Sequence, residues 1–161
     1  MPGPGTTGGW PVPANTAISR GFGCTSFYTG TKGASCPAAN PWWHNGIDFT
    51  SRIGTPLYAV RASTVTFAGQ DHGSLDCSWM AGSQPPHTGY GKYSKLKDAQ
   101  GYTWLYGHQS ALEVQLNQQV AAGAEIGKMG SSGCATGSHT HLTVIDPSGL
   151  DVDPLPLLSK P

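Results

Sequence analysis

Four of the six histidines in the chain fall in three short motifs whose residue types could support metal chemistry. His139 and His141 lie two residues apart, at the start of a run of strand-forming residues that ends at position 145. Because side chains of a strand alternate between its two faces, we predict that both imidazoles leave the same face of a sheet. An isolated His-x-His is more often a pair of surface histidines, so this motif alone does not establish a site.

Two further motifs change that interpretation. A catalytic zinc site uses three protein ligands and keeps the fourth position open. His44 and Asp48 offer one nitrogen and one oxygen ligand, and one of His139 and His141 offers the third. The other strand histidine and His108 would then be free for proton transfer or for stabilising an oxyanion. A purely structural zinc site would need no spare histidines nearby, so the motifs favour catalysis.

Composition excludes several other classes of function. The length of 161 residues suits one domain, and the nine basic and nine acidic residues cancel. Nothing therefore indicates binding of nucleic acid or of an anionic membrane. The sequence has no apolar run long enough to predict a membrane span, and no signal peptide is visible.

The abundance of glycine (23) and proline (13) favours short strands joined by turns. We predict a mainly antiparallel β domain with little helix. Strands are expected at residues 17–23, 57–67, 90–97, 102–108 and 139–145, with a hairpin turn at 98–101. Loops are expected at residues 24–43 and 69–90, and a mostly extended segment at 110–119. The predicted organisation is a flexible lead-in over residues 1–16, a domain over 17–157 and a tail over 158–161.

The four cysteines contain no Cys-x-x-Cys pair, which argues against a zinc finger. An even number of cysteines in a loop-rich chain predicts two disulfides, with three connectivities possible. We predict Cys24–Cys36 and Cys77–Cys134. The alternative is four reduced cysteines in a cytosolic protein, where disulfides are rare.

Other polar and aromatic residues carry weaker signals. Two histidines match no motif and are predicted to lie on surface loops: His72 and His87. Three aspartates fall in turns and are predicted to be solvated: Asp71, Asp76 and Asp98. Trp42 and Trp43 directly precede His44, where they could either wall a substrate groove or pack in the core.

In chain order, the motifs His44-x-x-x-Asp48, Tyr106-x-His108 and His139-x-His141 resemble those of the lysostaphin/LytM-type zinc endopeptidases. Flanking segments are similar too, among them 20–23, 54–59, 89–93, 127–133 and 135–137, so the likeness covers about residues 17–157. The resemblance implies an antiparallel β-sheet groove of that type, with a duplicated hybrid motif, and cleavage of peptides in bacterial peptidoglycan. It also implies one zinc ion on His44, Asp48 and His141, with His108 and His139 as the catalytic pair.

The resemblance leaves a second class of function open. Non-catalytic LytM-like modules bind or activate another cell-wall hydrolase, and they characteristically lose zinc ligands or catalytic histidines. All five positions are present here, which favours the enzyme. Three residues differ from those common in the family without removing a ligand: Ser138, Thr140 and Leu142. We expect a monomer, secreted or otherwise extracytoplasmic, that acts on peptidoglycan peptides.

Overall fold

The computed structural model describes residues 9–29, 31–71 and 89–161. These residues form twelve strands and one short 3-10 helix, Leu155–Leu157. The strands are β1 (Ala17–Arg20), β2 (Gly23–Thr25), β3 (Trp42–His44), β4 (Ile47–Thr50), β5 (Pro56–Tyr58), β6 (Ser63–Gln70), β7 (Lys92–Asp98), β8 (Thr103–Leu112), β9 (Gln119–Val120), β10 (Glu125–Met129), β11 (His139–Ile145) and β12 (Asp151–Val152). In this described part of the chain, no helix has the length and apolar character needed to cross a membrane.

Ten of the strands form one antiparallel sheet in the order β1-β4-β11-β8-β7-β6-β9. Strand β10 joins this sheet by pairing with β8, β5 pairs with β10, and β12 pairs with β11. Strands β2 and β3 form a separate two-stranded sheet. The predicted mainly antiparallel β domain with little helix is confirmed.

The register of three neighbouring strands positions the predicted ligands. His141 in β11 lies opposite Asp48 in β4, and Arg20 in β1 lies opposite Asp48 on its other side. Residues directly opposite each other in an antiparallel pair project from the same face of the sheet. Arg20, Asp48 and His141 therefore form a row of side chains across three strands.

The residues that alternate with this row face the hydrophobic core. Ile47 and Phe49 flank Asp48 in β4, and Leu142 and Val144 alternate with the β11 histidines; all four are buried. Burying an apolar side chain of this size contributes roughly 1.5–3 kcal/mol. A slip of one residue would move these side chains to the site face, so core burial fixes the register that aligns the ligands.

The N-terminal segment differs from the flexible lead-in expected over residues 1–16. Trp10 and Val12 are buried in the core, and the Gly9 N–H donates to the carbonyl of Val60 at 2.8 Å. The Gly9 carbonyl in turn accepts the N–H of Ser159 at 2.8 Å, which ties the predicted tail to the same place. Residues 9–12 are therefore part of the packed structure, and Trp10 fills the core beside Phe49.

The loop predicted over residues 24–43 is closed at both ends. The predicted disulfide Cys24–Cys36 is confirmed, with Cα atoms 5.5 Å apart. Strands β2 and β3 pair at the base of the loop, with Cys24 opposite Trp43. Cys134 is buried and disulfide-bonded, whereas its predicted partner Cys77 lies outside the described residues, so that pairing stays a prediction.

The prediction that Asp98 is solvated is wrong. Its side chain is fully buried at the β7–β8 turn, where four donors surround the carboxylate. Oδ1 accepts the backbone N–H groups of Gln100 and Tyr102 at 2.9 and 3.0 Å. Oδ2 accepts from Trp104 Nε1 and Arg61 Nη1, each at 3.0 Å. The turn sequence alone does not predict that Asp98 is buried and hydrogen-bonded, because Arg61 comes from a distant part of the chain.

The remaining strand predictions hold with shifted boundaries. The strand expected over 57–67 is divided between β5 and β6, and β8 continues past His108 to Leu112. The Asp71 carboxylate accepts the N–H of Gly89 at 2.9 Å, so it is not simply solvated. Residues 72–88 of the predicted 69–90 loop lie outside the described residues, and with them the predictions for His72, Asp76 and His87.

Candidate active site

The three residues predicted as ligands converge: Asp48 and His141 come from the paired strands β4 and β11, and His44 ends β3. His44 Nε2 and His141 Nδ1 lie 3.3 and 3.0 Å from Asp48 Oδ1, and the two nitrogens are 3.1 Å apart. None of the three residues is more than 6% exposed. Zinc bonds of about 2.0–2.2 Å at tetrahedral angles place ligand atoms roughly 3.3 Å apart. The three residues therefore form a possible metal site whose spacing and donor types fit zinc.

Hydrogen bonds on the far side of each imidazole set the ring orientation. His44 Nδ1 lies 2.8 Å from the carbonyl oxygen of Gly21, which can only accept, so Nδ1 carries the hydrogen and Nε2 a lone pair. His141 Nε2 lies 2.7 Å from Thr143 Oγ1, and donation to that hydroxyl leaves the lone pair on Nδ1. Two lone pairs and a carboxylate oxygen then face one another, an arrangement that a cation stabilises.

The charge state of the cluster also suits a metal. Burial raises the pKa of Asp48, but its interactions with His141 and His44 lower it by more, so the carboxyl group is ionised. Burial lowers the pKa of His141 more than Asp48 raises it. A neutral imidazole and an ionised carboxylate are the forms in which these side chains bind a metal.

Gly46 lies between two of the ligands in the turn from β3 to β4. A Cβ atom at this position would lie 2.3 Å from the carbonyl oxygen of Leu142 and 2.9 Å from Cε1 of His141. The glycine is therefore required by the close approach of the turn to β11. Any side chain here would force the turn or the adjacent part of β11 to shift.

The predicted catalytic histidines line the same cleft. The ring centroids of His108 and His139 are 4.6 Å apart, and that of His108 is 6.4 Å from that of His141. His108 Nδ1 donates to the carbonyl of Ser132 at 2.7 Å, and His139 Nδ1 donates to the carbonyl of Gly137 at 2.9 Å. In the neutral form of each ring, Nε2 thus carries a free lone pair. The structure brings all five predicted site residues together.

A β-bulge aims His108 into the cleft. Residues 107 and 108 of β8 lie opposite Tyr93 alone, and His108 has φ 59°. A left-handed conformation is uncommon for a residue other than glycine, and such strain is concentrated at functional sites. Burial, together with the charges of His139 and His141, lowers the pKa of His108 to about 3. This imidazole therefore stays neutral at neutral pH.

Tyr90 is a site residue that our reading of the sequence did not single out. Its ring stacks on His141 with centroids 5.6 Å apart and an interplanar angle of 25°. Its carbonyl accepts the backbone N–H of His108 at 2.7 Å, so one residue contacts a predicted ligand and a predicted catalytic histidine. The only signal was its place in the segment 89–93, which resembles the endopeptidase family.

The cleft has a volume of about 690 Å³. Its wall beside β1 is aromatic: Phe27, Tyr28 and Trp43. Trp43 packs edge-on against Phe22, whereas Trp42 packs against Tyr28 and does not line the cleft. Of the two tryptophans that could have formed a groove wall, one does.

The chain belongs to a family of metallopeptidases. The model of peptidase family M23 matches residues 43–154, which contain all five site residues. Among solved structures, the catalytic domain of lysostaphin from Staphylococcus simulans superposes with a TM-score of 0.63 at 26% identity, over 88% of this chain and 91% of that domain. The predicted lysostaphin-like fold and family are thereby confirmed.

Relatives in the family carry more than one description. The DD-carboxypeptidase/endopeptidase Mpg of Neisseria meningitidis is 33% identical over 106 residues, covering 65% of this chain and 21% of that protein. A lipoprotein NlpD/LppB homolog of Pseudomonas aeruginosa is 30% identical over 126 residues, covering 78% of this chain and 32% of that protein. The chain thus spans a third or less of the length of these curated relatives. Family membership supports peptidase activity.

Proposed function

We propose that this chain is a zinc-dependent endopeptidase that hydrolyses peptide bonds in bacterial peptidoglycan. One observation carries the proposal: three buried candidate ligand atoms with the spacing of a zinc site share a cleft with two further histidines, His108 and His139, whose Nε2 atoms have no hydrogen-bond partner among the described residues. The peptidoglycan DD-endopeptidase ShyA of Vibrio cholerae, 28% identical over 136 residues, supports the choice of substrate.

The predicted residues divide into two groups with different tasks in this reaction. A zinc ion held by His44, Asp48 and His141 would polarise the scissile carbonyl and lower the pKa of the attacking water. His108 and His139 would work from the open side of the site. The Nε2 atom of one ring can accept a proton, and a protonated ring can donate a hydrogen bond to the developing oxyanion. Anchoring of both Nδ1 atoms to backbone carbonyls keeps the rings oriented for these tasks.

The competing function is a non-catalytic module that binds or activates another cell-wall hydrolase. A module of that kind needs neither convergent ligands nor two extra histidines in the cleft. The strained backbone at His108 also favours the enzyme, because such a conformation is expected where a side chain must be aimed at a reaction.

We further propose that the protein acts as a monomer outside the cytoplasm. The substrate lies there, and the Cys24–Cys36 disulfide is of a kind that persists in oxidising compartments.

The test uses the purified chain and purified peptidoglycan. We expect about one zinc per chain by elemental mass spectrometry, release of free amines from the peptidoglycan, loss of release with a chelator and recovery with added zinc. His44→Ala provides the matched control and should neither bind zinc nor release amines. A wild-type chain that binds no zinc and releases no amines, yet stimulates another hydrolase, would establish the module instead.

A further inference from the structure

Arg20 lies beside the metal ligands without being tied to them. It ends β1 opposite Asp48, and its Nη1 lies 3.6 Å from Asp48 Oδ2, which is an ion pair longer than a hydrogen bond. The guanidinium carbon lies 3.7 Å from the ring centroid of Phe27, which fixes the group by cation–π stacking. The Arg20 side chain is 25% exposed and lines the cleft.

The hydrogen-bonding capacity of this guanidinium is not used. Within the described residues, no acceptor forms a hydrogen bond with any of its five N–H groups. Arg61 offers a direct contrast: its side chain is 30% exposed, and its Nη1 donates to Asp98 Oδ2 at 3.0 Å. Because the Arg20 side chain is 25% exposed and lines the cleft, these donors are available to a ligand that enters the cleft.

The charge distribution in the cleft indicates which ligand. Among the described residues that line it, Arg20 is the only lysine or arginine. The nearest carboxylate, Asp48, uses Oδ1 in the candidate metal site. A planar guanidinium fork matches a carboxylate, to which it can donate two parallel hydrogen bonds.

We propose that Arg20 is a specificity-determining residue that binds a free carboxylate of the peptide substrate, close to the scissile bond. The proposal rests on the proposed function, because it concerns how the same cleft selects among peptides. Pairing at Arg20 would fix the peptide along the row of Arg20, Asp48 and His141 and so bring one bond to the ligands. The carboxylate can come from the C-terminus of the peptide or from an acidic side chain, which present the same chemistry.

The test compares matched synthetic peptides that contain a cleavable cross-link. One peptide has both carboxylates free, a second has the C-terminus amidated, and a third has the side-chain carboxylate amidated. For the wild-type chain, amidation at the recognised position should lower kcat/KM by about 10-fold or more, as expected for loss of a hydrogen-bonded charge pair. The peptide that shows the loss identifies the source of the carboxylate.

The decisive measurement is the same comparison in variants of Arg20. Arg20→Gln should cleave the free acid and the amide at equal rates, and Arg20→Lys should retain only part of the preference. Arg52→Gln is the matched control, because Arg52 is exposed and outside the cleft while its loss changes the net charge equally. This control should keep the full preference for the free acid.

Two results would overturn the proposal. If Arg20→Gln lowers cleavage of acid and amide by the same factor, Arg20 only orients Asp48. If the wild-type chain cleaves the free-acid and amidated peptides equally, it does not recognise a substrate carboxylate.

Should Arg20→Gln fail to fold, Phe27→Ala removes the stacking partner from an exposed loop and should also reduce the preference for the free acid. Should the wild-type chain cleave no peptide, the proposed function fails, and calorimetric titration with the same acid and amide peptides still tests binding at Arg20.

Discussion

Two arginine–aspartate pairs in this molecule have similar components and opposite consequences. In both, the aspartate is only 5% exposed, and the arginine also stacks on an aromatic ring. Arg61 stacks on Trp104 and contacts Asp98 at 3.0 Å; Arg20 stacks on Phe27 and approaches Asp48 to only 3.6 Å.

The two pairs differ in the groups that surround each carboxylate. Asp98 accepts hydrogen bonds from four donors of the protein itself. Asp48 instead faces His44 Nε2 and His141 Nδ1, atoms whose rings are anchored on the opposite side. The first carboxylate is satisfied by the fold, whereas the second is left for a cation.

This difference shows that burial of a charged group does not by itself mark a functional site. A buried carboxylate surrounded by donors stabilises the fold. A buried carboxylate that shares its position with lone pairs costs stability unless a metal or a proton supplies positive charge. The four predictions below test whether this difference governs the behaviour of the two aspartates.

The largest effect is expected from Asp48→Asn, which removes the charge and one ligand atom. Zinc content should fall close to zero, and peptidoglycan hydrolysis should fall by at least about 1,000-fold, since even loss of a group supporting a ligand costs roughly 10–100-fold. Elemental mass spectrometry and amine release measure the two quantities. The matched substitution Asp98→Asn should keep its zinc, and a zinc-loaded, active Asp48→Asn variant would contradict the assignment.

Asp98→Ala is expected to act on stability instead. The change leaves Arg61 without its partner and three further donors without their acceptor, so the free energy of unfolding should fall by about 3–5 kcal/mol. Denaturant unfolding of the metal-free chain measures this loss. Below its unfolding transition, the variant should still bind one zinc. A destabilisation below about 1 kcal/mol would show that Asp98 is not the structural centre of the turn.

These two aspartates also show what the sequence could reveal. The candidate ligands were visible in the sequence because each motif is short and the strand period places His139 and His141 on one face. The choice of His141 over His139 came from the resemblance to the endopeptidase family. Asp98 could not be assigned in this way. Two of its donors lie within four residues, but Arg61 is 37 positions away, and nothing in the turn sequence indicates it.

The same limit applies to the parts of the fold that were predicted incorrectly. A Gly/Pro-rich N-terminus is typical of a flexible lead-in. Trp10 is nevertheless buried, because it packs against Phe49 in the core. The close contact of Gly46 with Leu142 is equally invisible in the local sequence. Both contacts join segments that are distant in sequence.

The third prediction separates the ligands from the other histidines near Asp48. His108→Ala or His139→Ala should keep near-stoichiometric zinc while hydrolysis falls by about 100-fold or more, because neither ring belongs to the ligand set. His141→Ala should lose both zinc and activity. Measuring zinc content and cleavage rate together tests the assignment within β11. An empty site in His139→Ala with zinc retained in His141→Ala would reverse it.

The smallest effect concerns pH and the contribution of Asp98 alone. Burial raises the pKa of Asp98, but hydrogen bonds from Trp104 and Tyr102 and the hydrogen bond and charge of Arg61 lower it by more, so its pKa in the folded chain lies below the ordinary 3.8. The folded state then binds fewer protons than the unfolded state, and the stabilisation is present above pH 3.8 and lost as the pH falls through the folded pKa.

Comparison with Asp98→Asn isolates the pH-dependent contribution of the Asp98 charge to the free energy of unfolding. The variant cannot titrate at position 98, while the lowered pKa values of Asp48, His108 and His141 affect both proteins equally. The difference in unfolding free energy between wild type and Asp98→Asn should therefore be constant from pH 7 to about 5 and shrink as the pH falls below 3.8 towards 2.5. Denaturant unfolding of the metal-free proteins at several pH values measures it. A difference that stays constant down to pH 2.5 would mean that the charge of Asp98 adds nothing to the stability of the turn, and that its four donors bind a neutral group equally well.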